Sequence, residues 1–431
     1  MISSNILSKK TFAIYGLGVT GSSVIRYFNK LRIKNYQSWD DSIKTRKKYK
    51  LKNNFIKFYR SLNLADYIIV SPGINIEKTK FKKILIKNKH KLITDLDLFF
   101  MANNKNKTIV VTGTNGKSTT CKIIEHLLKK NRNDVKLCGN IGRPILDQKI
   151  KINTIFVIEA SSFQLAYSKF IKPTYALFLN LTKDHLDWHK DIKKYLSAKL
   201  KIFSLQNKND YAFIQDKNII KKFKKKYISK LKKINFENYK YIKPKIKNIY
   251  LNSKVNEKNL IFVYELSKIL KIKKKLFLDV CNSFRGLPHR HEYFYKKHKV
   301  NFINDSKATS FESSKYALQS NKNILWIVGG LQKKGDRFYL NKLKKNISQA
   351  FIIGKNMNFF KKQVENKIKF RISKNMKSAV ISIFKMIKND KKNNFTVLLS
   401  PASASYDQYS NFRARGLEFK ELVKYYGNKY I

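Results

Sequence analysis

Apolar runs alternate with helix-like stretches over the first part of the chain. Between residues 11 and 95, three segments have the composition of successive strand ends: TFAIYG, NYQSWDD and ADYIIVSPGI. Because strands that alternate with helices build parallel sheets, this rhythm predicts a Rossmann-like α/β unit.

Two more cycles of the same kind follow. The second opens with TIVVTGTNGKSTTCKIIEHLLKK and continues with the strand candidates TIFVIEASS and YALFLNLT. The third starts near residue 300, with strand candidates in NFINDSKATS, NILWIVGGL, AFIIGK and FTVLLSPAS. We therefore predict three α/β domains: a Rossmann-like N-terminal domain (1–95), a central P-loop ATPase-like parallel sheet (96–295) and a Rossmann-like C-terminal domain (296–431).

Composition narrows the class of protein. The chain has 431 residues, enough for two or three ordinary domains. We find no run of 18 or more apolar residues and no apolar signal segment in MISSNILSKKTF, so we expect a soluble, cytoplasmic protein. The three cysteines have no metal-site or disulfide spacing and are expected to pack in the interior.

The net charge of +64 raises the question of nucleic-acid binding. Lysine is enriched together with Asn, Ile, Phe and Tyr, as AT-rich coding bias would produce, and no nucleic-acid-binding signature accompanies the basic runs. We therefore expect no specific nucleic-acid partner. A positive field of this size would still attract small anionic substrates.

The first glycine loop, Gly16 to Gly21 in AIYGLGVTGSS, matches the G-x-G-x-x-G pattern. Such glycines let backbone amides approach a diphosphate at a helix N-terminus. Asp40 and Asp41 follow about twenty residues later, where a ribose contact is expected. Taken alone, the pattern favours a nicotinamide enzyme, but we identify no hydride-transfer site elsewhere.

The second glycine loop, Gly113 to Thr119, reads GTNGKST and lies between a β-branched strand and an amphipathic helix. Its glycines would close on phosphate oxygens, Lys117 would supply a positive charge, and Ser118 or Thr119 would bind Mg²⁺. The loop is shorter than the usual G-x-x-x-x-G-K-[ST] pattern. The alternative is a glycine turn followed by an exposed lysine, but the flanking strand and helix favour a nucleoside triphosphate.

This shortened loop resembles the ATP loop of the Mur ligases, the amide-forming enzymes of bacterial peptidoglycan assembly. Six further blocks resemble the D-glutamate-adding members of that family, in order along the chain: GNIG (139–142), EASSFQL (159–165), LNLTKDHLDWH (179–189), GLPHRHE (286–292), NDSKATS (304–310) and SPASASYDQYSNFRARG (400–416). The resemblance runs from the first glycine loop almost to the C-terminus.

The resemblance implies a function and its partners. It implies an ATP-dependent ligase that adds D-glutamate to UDP-N-acetylmuramoyl-L-alanine through an acyl phosphate, with ATP and Mg²⁺ as cofactors and no membrane partner. We expect a monomer. The alternatives are a sister Mur ligase that adds another amino acid and a folylpolyglutamate-type ligase.

The resemblance also implies an ATP and metal site. The implied ATP contacts are Gly113, Thr114, Asn115, Gly116, Lys117, Ser118, Thr119, Asn259, Arg290 and Asp305. The implied metal ligands are Ser118, Glu159, His185 and Lys199, the last as a carbamate formed with CO₂. Without the flanking motifs, Glu159 would be taken for a buried ion-pair partner and His185 for a surface histidine. The implied catalytic residues are Lys117, His185, Lys199 and Lys307.

One departure from the family pattern and one neighbouring lysine affect these assignments. The family usually has Gly-x-His-Asn shortly before Asn259, whereas this chain reads SKVN at 253–256, so the adenine-side contacts are the weakest transfer. Lys201, two residues after Lys199, faces elsewhere on a helix and serves as a control for it.

The two substrates are assigned to separate sets of residues. The implied contacts to the UDP substrate are Gly18, Val19, Thr20, Gly21, Asp41, Gly73, Asn140 and His185. The N-terminal, central and C-terminal domains would bind the UDP substrate, ATP and the amino acid, respectively. The implied D-glutamate pocket comprises Thr309, Lys333, Ser405, Tyr406 and Phe412. A lysine suits a dicarboxylate ligand, whereas Phe412 has a core-packing alternative.

Overall fold

A computed structural model describes residues 7–49, 55–103, 105–332, 335–390 and 394–430. The chain forms two compact units. The first comprises Met1–Lys245 with Asn259–Asn282, and the second comprises Ile246–Lys258 with Ser283–Ile431. The domain limits predicted at residues 95 and 295 stay predictions.

The first sheet contains the early strand candidates. Its strands are β1 (Phe12–Tyr15), β2 (Tyr36–Trp39), β3 (Tyr67–Val70) and β4 (Leu92–Ile93), all parallel, in the order β2-β1-β3-β4. Its helices are α1 (Val19–Lys30), α2 (Ile43–Lys48), α3 (Phe55–Leu64) and α4 (Lys82–Lys87).

The second sheet follows in the same compact unit. Its strands are β5 (Thr108–Thr112), β6 (Val135–Gly139), β7 (Ile155–Glu159), β8 (Tyr175–Phe178), β9 (Tyr211–Ile214) and β10 (Lys230–Lys233), all parallel, in the order β10-β9-β8-β5-β7-β6. The helices from here to the third sheet are α5 (Asp95–Ala102), α6 (Lys117–Lys130), α7 (Ser162–Tyr167), α8 (Leu186–His189), α9 (Ile192–Leu200), α10 (Lys217–Lys226), α11 (Glu237–Lys240), α12 (Ile249–Asn252), α13 (Lys254–Ile269) and α14 (Lys274–Ser283).

The third sheet belongs to the second compact unit. Its strands are β11 (Glu292–Lys297), β12 (Val300–Asn304), β13 (Ile324–Gly329), β14 (Ile347–Ile353), β15 (Phe370–Lys374) and β16 (Thr396–Leu399), in the order β11-β12-β16-β13-β14-β15. Its helices are α15 (Phe311–Ser320), α16 (Met357–Val364), α17 (Met376–Asn389) and α18 (Phe412–Tyr430). Strand β11 is antiparallel to β12, and the other pairs are parallel.

Among the described residues, short 3-10 helices occur at six places: Ile76–Lys78, Lys89–Lys91, Ile145–Asp147, Lys201–Phe203, Lys243–Lys245 and Lys344–Asn346. The prediction of three α/β sheets with largely parallel strands is confirmed. Within the described ranges, no helix combines the length and the apolarity that crossing a bilayer requires.

Burial explains why the central strands are continuous apolar runs. Every residue of β1, β5 and β13 is buried, as expected for parallel strands covered by helices on both faces. The three cysteines are buried as predicted. One hydrophobic core contains Phe12 and Val24 from the first sheet region together with Val110 and Phe156 from the second. The first two sheets therefore share part of their interior.

The carboxylate of Asp97 links those two sheet regions. Thr94 caps the N-terminus of α5 through a capping box that uses the Asp97 side chain. The same carboxylate accepts hydrogen bonds from the backbone N–H groups of Lys169 and Phe170, each at 2.7 Å. Because a buried carboxylate needs such donors, Asp97 fixes the segment before α5 against the segment after α7.

Candidate functional site

The second glycine loop joins a buried strand to a long helix. Strand β5 ends at Thr112, and α6 begins at Lys117 and runs for 14 residues. Gly116 has a φ of +88°, and an added Cβ would lie 2.0 Å from the side-chain oxygen of Asn259. Only glycine fits there. The predicted adenine-side residue Asn259 therefore packs directly against the loop.

Two lysine side chains converge on one carbonyl of this loop. The Nζ atoms of Lys117 and Lys199 donate to the backbone oxygen of Gly113, at 2.8 Å and 2.7 Å. Lys199 is 1% exposed. Burial, followed by the charge of Lys117, holds the pKa of Lys199 well below its ordinary value, and Asp184 and Glu159 act in the opposite direction.

A carboxylate with a spare oxygen ends the neighbouring strand. Glu159 is the last residue of β7, and its Oε1 accepts a hydrogen bond from the side chain of Asn140 at 2.8 Å. Its Oε2 is buried and has no hydrogen-bond partner. A buried, unsatisfied carboxylate oxygen is the donor that Mg²⁺ prefers. Ser118, the second residue of α6, is also buried.

His185 lies on a turn and not at a strand end. Strand β8 stops at Phe178, and His185 precedes α8 with a left-handed φ of +54°. Of these two predicted metal ligands, only Glu159 therefore ends a strand. The ring of His185 lies 6.4 Å from that of Tyr195, and Nζ of Lys199 lies 4.5 Å from the same ring. The ring of Tyr195 thus lies beside the side chains of two predicted metal ligands, His185 and Lys199.

No cluster of three or more His, Cys, Asp or Glu side chains suited to a metal occurs among the residues with described positions. The predicted set contains only two residues of those types, Glu159 and His185, with Ser118 and Lys199 as the others. Two such residues do not make a group of three, so this absence does not test the predicted metal site. Metal binding by these four residues stays a prediction.

The first glycine loop is held by its own neighbours. Gly16 donates its N–H to Trp39, and an added Cβ on Gly21 would lie 1.8 Å from the Gly16 carbonyl oxygen. Asp40 accepts the backbone N–H of Leu17 at 2.7 Å. Asp40 therefore stabilises the loop, while Asp41 accepts from the hydroxyl of Tyr15 at 2.6 Å.

The remaining predicted UDP contacts surround this loop or lie on the second sheet. Gly18 caps α1, Val19 is 74% exposed and Thr20 follows it in the first turn. Gly73 lies in the turn after β3, where Ser71 donates to the Gly16 carbonyl at 2.8 Å. Asn140 and His185 lie beyond the carboxyl ends of strands in the second sheet, as described above.

In the second compact unit, a buried carboxylate follows β12. Asp305 accepts from the Ser400 hydroxyl at 2.7 Å and from the backbone N–H of His291 at 3.0 Å. Burial raises the pKa of Asp305 to about 7, and the charge of Arg290 acts in the opposite direction. The predicted pair Arg290 and Asp305 therefore interacts electrostatically.

The same unit brings a predicted catalytic lysine to a predicted pocket residue. Nζ of Lys307 lies 4.0 Å from the ring centre of Phe412. Phe412 is half-buried and not hidden in the core. Ser405 is 2% exposed and Tyr406 is 71% exposed, while Thr309 is half-buried. Lys333 lies outside the described residues.

Sequence reasoning missed three supporting side chains. Arg415 is 1% exposed and donates to the hydroxyl and carbonyl of Ser306 and to the carbonyl of Ser403. His189 bonds to the hydroxyl of Ser162 at 2.9 Å, and Tyr195 was named above. Arg415 lies in the quoted block 400–416, between Ala414 and Gly416. An arginine flanked by two small residues was the signal that could have identified it. His189 also lies in a quoted block, but neither it nor Tyr195 gave a signal for its partner, because Ser162 and Thr114 are distant in sequence.

Comparison with known proteins decides the family. The family model described as "Mur ligase middle domain" matches residues 111–279, and the one described as "Mur ligase MurD-like, N-terminal domain" matches residues 10–92. The UDP-N-acetylmuramoylalanine–D-glutamate ligase of Rickettsia felis is 34% identical, with 97% of this chain and 98% of that protein covered. The chain belongs to the Mur ligase family.

Other relatives agree with this placement of the Mur ligase. The proteins with the same name from Rickettsia prowazekii and Clostridioides difficile are 34% and 31% identical, each over 97% of this chain and 99% of the relative. The chain is thus similar to these ligases over almost their whole length.

Solved structures support the fold of this Mur ligase. The MurF ligase of Thermotoga maritima in complex with ADP superposes with a TM-score of 0.58 at 18% identity, covering 86% of this chain and 92% of that one. The MurC ligase of the same organism gives a TM-score of 0.54 at 15% identity, covering 97% and 100%. At such identities the likeness concerns the fold alone.

The raised pKa of Asp305 predicts a pH-dependent stability of the Mur ligase. The folded protein keeps a proton on Asp305 that the unfolded chain releases near its ordinary pKa of 3.8. As pH rises from that value to about 7, only the unfolded state gains from ionisation, so the stability contribution of Asp305 falls. Relative to Asp305→Asn, the wild type should lose up to about 1.4 kcal/mol per pH unit in this window.

Urea unfolding at several pH values across this window measures the difference. Other titrating groups cancel in the comparison, because the two proteins differ only at Asp305. Parallel stability curves for the wild type and Asp305→Asn would contradict the buried, protonated carboxyl.

Proposed function

We propose that this Mur ligase adds D-glutamate to UDP-N-acetylmuramoyl-L-alanine, with hydrolysis of ATP to ADP and phosphate. The observation that carries the proposal is the pair Lys117 and Lys199 on the Gly113 carbonyl, with the Glu159 carboxylate ending the adjacent strand. The names of the full-length relatives support the choice of D-glutamate.

In the first step, the alanine carboxylate attacks the γ-phosphate of ATP. An acyl phosphate forms and ADP leaves. The backbone amides at the start of α6 and the charge of Lys117 would stabilise the phosphate oxygens, because a helix N-terminus with a lysine is an anion site. Arg290, Asp305 and Lys307 are assigned to the same chemistry by their matched motifs.

In the second step, the amine of D-glutamate attacks the acyl carbon. The tetrahedral intermediate collapses to the amide and releases phosphate. We assign the amino-acid pocket to Thr309, Lys333, Ser405, Tyr406 and Phe412, by resemblance. The 4.0 Å contact between Lys307 and Phe412 supports this placement, because it joins a predicted catalytic group to a predicted pocket wall.

Mg²⁺ would neutralise charge on the phosphates when bound. Ser118, Glu159, His185 and a carbamate on Lys199 would hold it. The unsatisfied oxygen of Glu159 fits this role, because a cation would supply its missing partner.

The carbamate requires an uncharged amine at Lys199. The ammonium group first loses one proton, the lone pair of the neutral Nζ then attacks CO₂, and the nitrogen releases a second proton, so the cationic side chain ends as an anion. Burial and the nearby charge of Lys117 favour the neutral amine, since both lower the pKa of Lys199. The negative product would also interact favourably with the charge of Lys117 at the Gly113 carbonyl.

The UDP end of the acceptor substrate is assigned to the first glycine loop. Gly18, Val19, Thr20 and Gly21 would present backbone amides of α1 to the diphosphate. Asp41, Gly73, Asn140 and His185 complete the assigned contacts. Because ATP and a UDP-linked precursor are both consumed, we place the reaction in the cytoplasm, and we expect a monomer.

The central test offers several amino acids to the purified protein. ADP release is measured with UDP-N-acetylmuramoyl-L-alanine and, in turn, D-glutamate, L-glutamate, L-alanine or a diamino acid. D-glutamate should support a rate at least about 100-fold above that with L-alanine, because a pocket built for a second carboxylate rejects substrates that lack it. Equal rates with L-alanine, or none with D-glutamate, would contradict the proposed function.

A second test concerns the carbamate. Lys199→Ala should lower activity by about 100-fold or more, and formate or acetate should restore part of it by supplying the missing carboxylate. Lys201→Ala is predicted to stay active, but Lys201 donates to the carbonyls of Ala166 and Ser168, so its loss also affects stability. The exposed Lys193 on the same helix is the cleaner control. An inactive Lys199→Ala enzyme that no carboxylic acid restores would refute the carbamate.

A further inference from the structure

We propose that Ser162 and His189 are positioning residues, which hold the predicted metal ligand His185 in place relative to Glu159. Their side chains share a buried hydrogen bond of 2.9 Å between Oγ of Ser162 and Nε2 of His189. The inference rests on the proposed function, because it takes Glu159 and His185 as metal ligands. It adds the contact that sets the position of one ligand relative to the other.

Helix α7 is fixed to the strand that carries Glu159. Ser162 is the first residue of this helix and follows Glu159, the last residue of β7, by three positions. Ser161 caps the helix through a capping box. The hydroxyl of Thr112, at the end of β5, donates to the carbonyl of Ala160 at 2.9 Å. These bonds tie the start of α7 to the central sheet beside Glu159.

Helix α8 is a single turn, and its two flanking residues have an unfavourable backbone conformation. The helix comprises Leu186–His189, and His185 and Lys190 on either side have φ values of +54° and +71°. Such a conformation is unfavourable for residues other than glycine, so it persists only where surrounding contacts impose it. The position of His185 therefore depends on what α8 packs against.

His189 is the residue that attaches α8 to α7. It is 4% exposed, and its ring stacks on that of Phe163, with 5.7 Å between the ring centres and 7° between the planes. Its backbone N–H donates to the carbonyl of His185 at 2.9 Å. Because α8 has only one turn, the hydrogen bond from His189 to Ser162 also restrains His185 at the other end of that turn.

Helix α7 also contacts the imidazole of His185 directly. The ring centre of Phe163 lies 4.7 Å from that of His185. Ser162 and Phe163 are adjacent in sequence, so the first turn of α7 contacts the histidines at both ends of α8. Since metal affinity depends on residues that orient the ligands, a loose α8 should weaken metal binding while the ligands themselves remain intact.

The test measures metal binding in Ser162→Ala and His189→Phe, of which the second keeps an aromatic ring but loses the hydrogen bond. Mn²⁺ replaces Mg²⁺, because both ions take oxygen ligands. Water-proton relaxation reports binding of the Mn²⁺ complex of a non-hydrolysable ATP analogue to the protein. Each variant should bind this complex about fivefold more weakly, as the loss of one buried hydrogen bond implies. The double variant should bind no more weakly than either single variant, because both remove the same bond.

Ser168→Ala is the matched control. Ser168 is a buried serine at the other end of α7, and its hydroxyl donates to the carbonyl of Gln164 at 2.9 Å and bonds to the hydroxyl of Thr94 at 2.8 Å. Its replacement should lower the urea midpoint by an amount similar to that in Ser162→Ala. Binding of the Mn²⁺ complex should nevertheless stay within about twofold of wild type, since these bonds lead to α5 and not to α8.

Titration calorimetry with the metal-free analogue supplies a second readout. Ser162→Ala and His189→Phe should bind it as the wild type does, because both residues act through the metal ligands. Unchanged binding of the Mn²⁺ complex in both variants, additive losses in the double variant, or an equal loss in Ser168→Ala would overturn the inference and leave ADP release with D-glutamate unaffected. A wild type that binds the analogue equally with and without Mn²⁺ would instead contradict the metal site, and this inference with it.

Discussion

The side-chain amines of Lys117 and Lys199 share the carbonyl oxygen of Gly113, and the chemistry proposed for the central sheet depends on this contact. Lys117 reaches it from the start of α6, and Lys199 reaches it from the end of α9. Because Lys199 is buried, a positive charge on it beside Lys117 is unfavourable, and a bound anion or the loss of its proton would offset this cost. The phosphates of ATP would supply the anion. A neutral or carbamylated Lys199 would remove one of the two positive charges.

The side chain of Glu159 lacks a hydrogen-bonding partner for its buried Oε2 among the described residues. A buried carboxylate oxygen without a partner carries a cost that a bound cation would remove. The two lysines at the Gly113 carbonyl and the unsatisfied oxygen of Glu159 therefore support one proposal, a site that bound ligands complete.

The sheets and glycine loops could be predicted because their signals are local. A buried strand followed by glycines, as at Gly16 and Gly113, identifies both the turn and the ligand end of a parallel sheet. Strand β11 was not predicted, since its residues are only partly buried and lack an apolar run. The roles of Tyr195, His189 and Arg415 depend on partners far away in sequence, so no spacing indicated them.

The ligand of each loop is the central claim, and two binding measurements on single variants test it. Val19→Glu places a carboxylate at an exposed first residue of α1, where it would repel a diphosphate without disturbing the core. Titration calorimetry should show the UDP substrate bound about tenfold or more weakly, with a non-hydrolysable ATP analogue unaffected. Lys117→Met should give the opposite pattern. Loss of the ATP analogue in Val19→Glu, or tight binding of NAD that Val19→Glu abolishes, would contradict the assignment of the two loops.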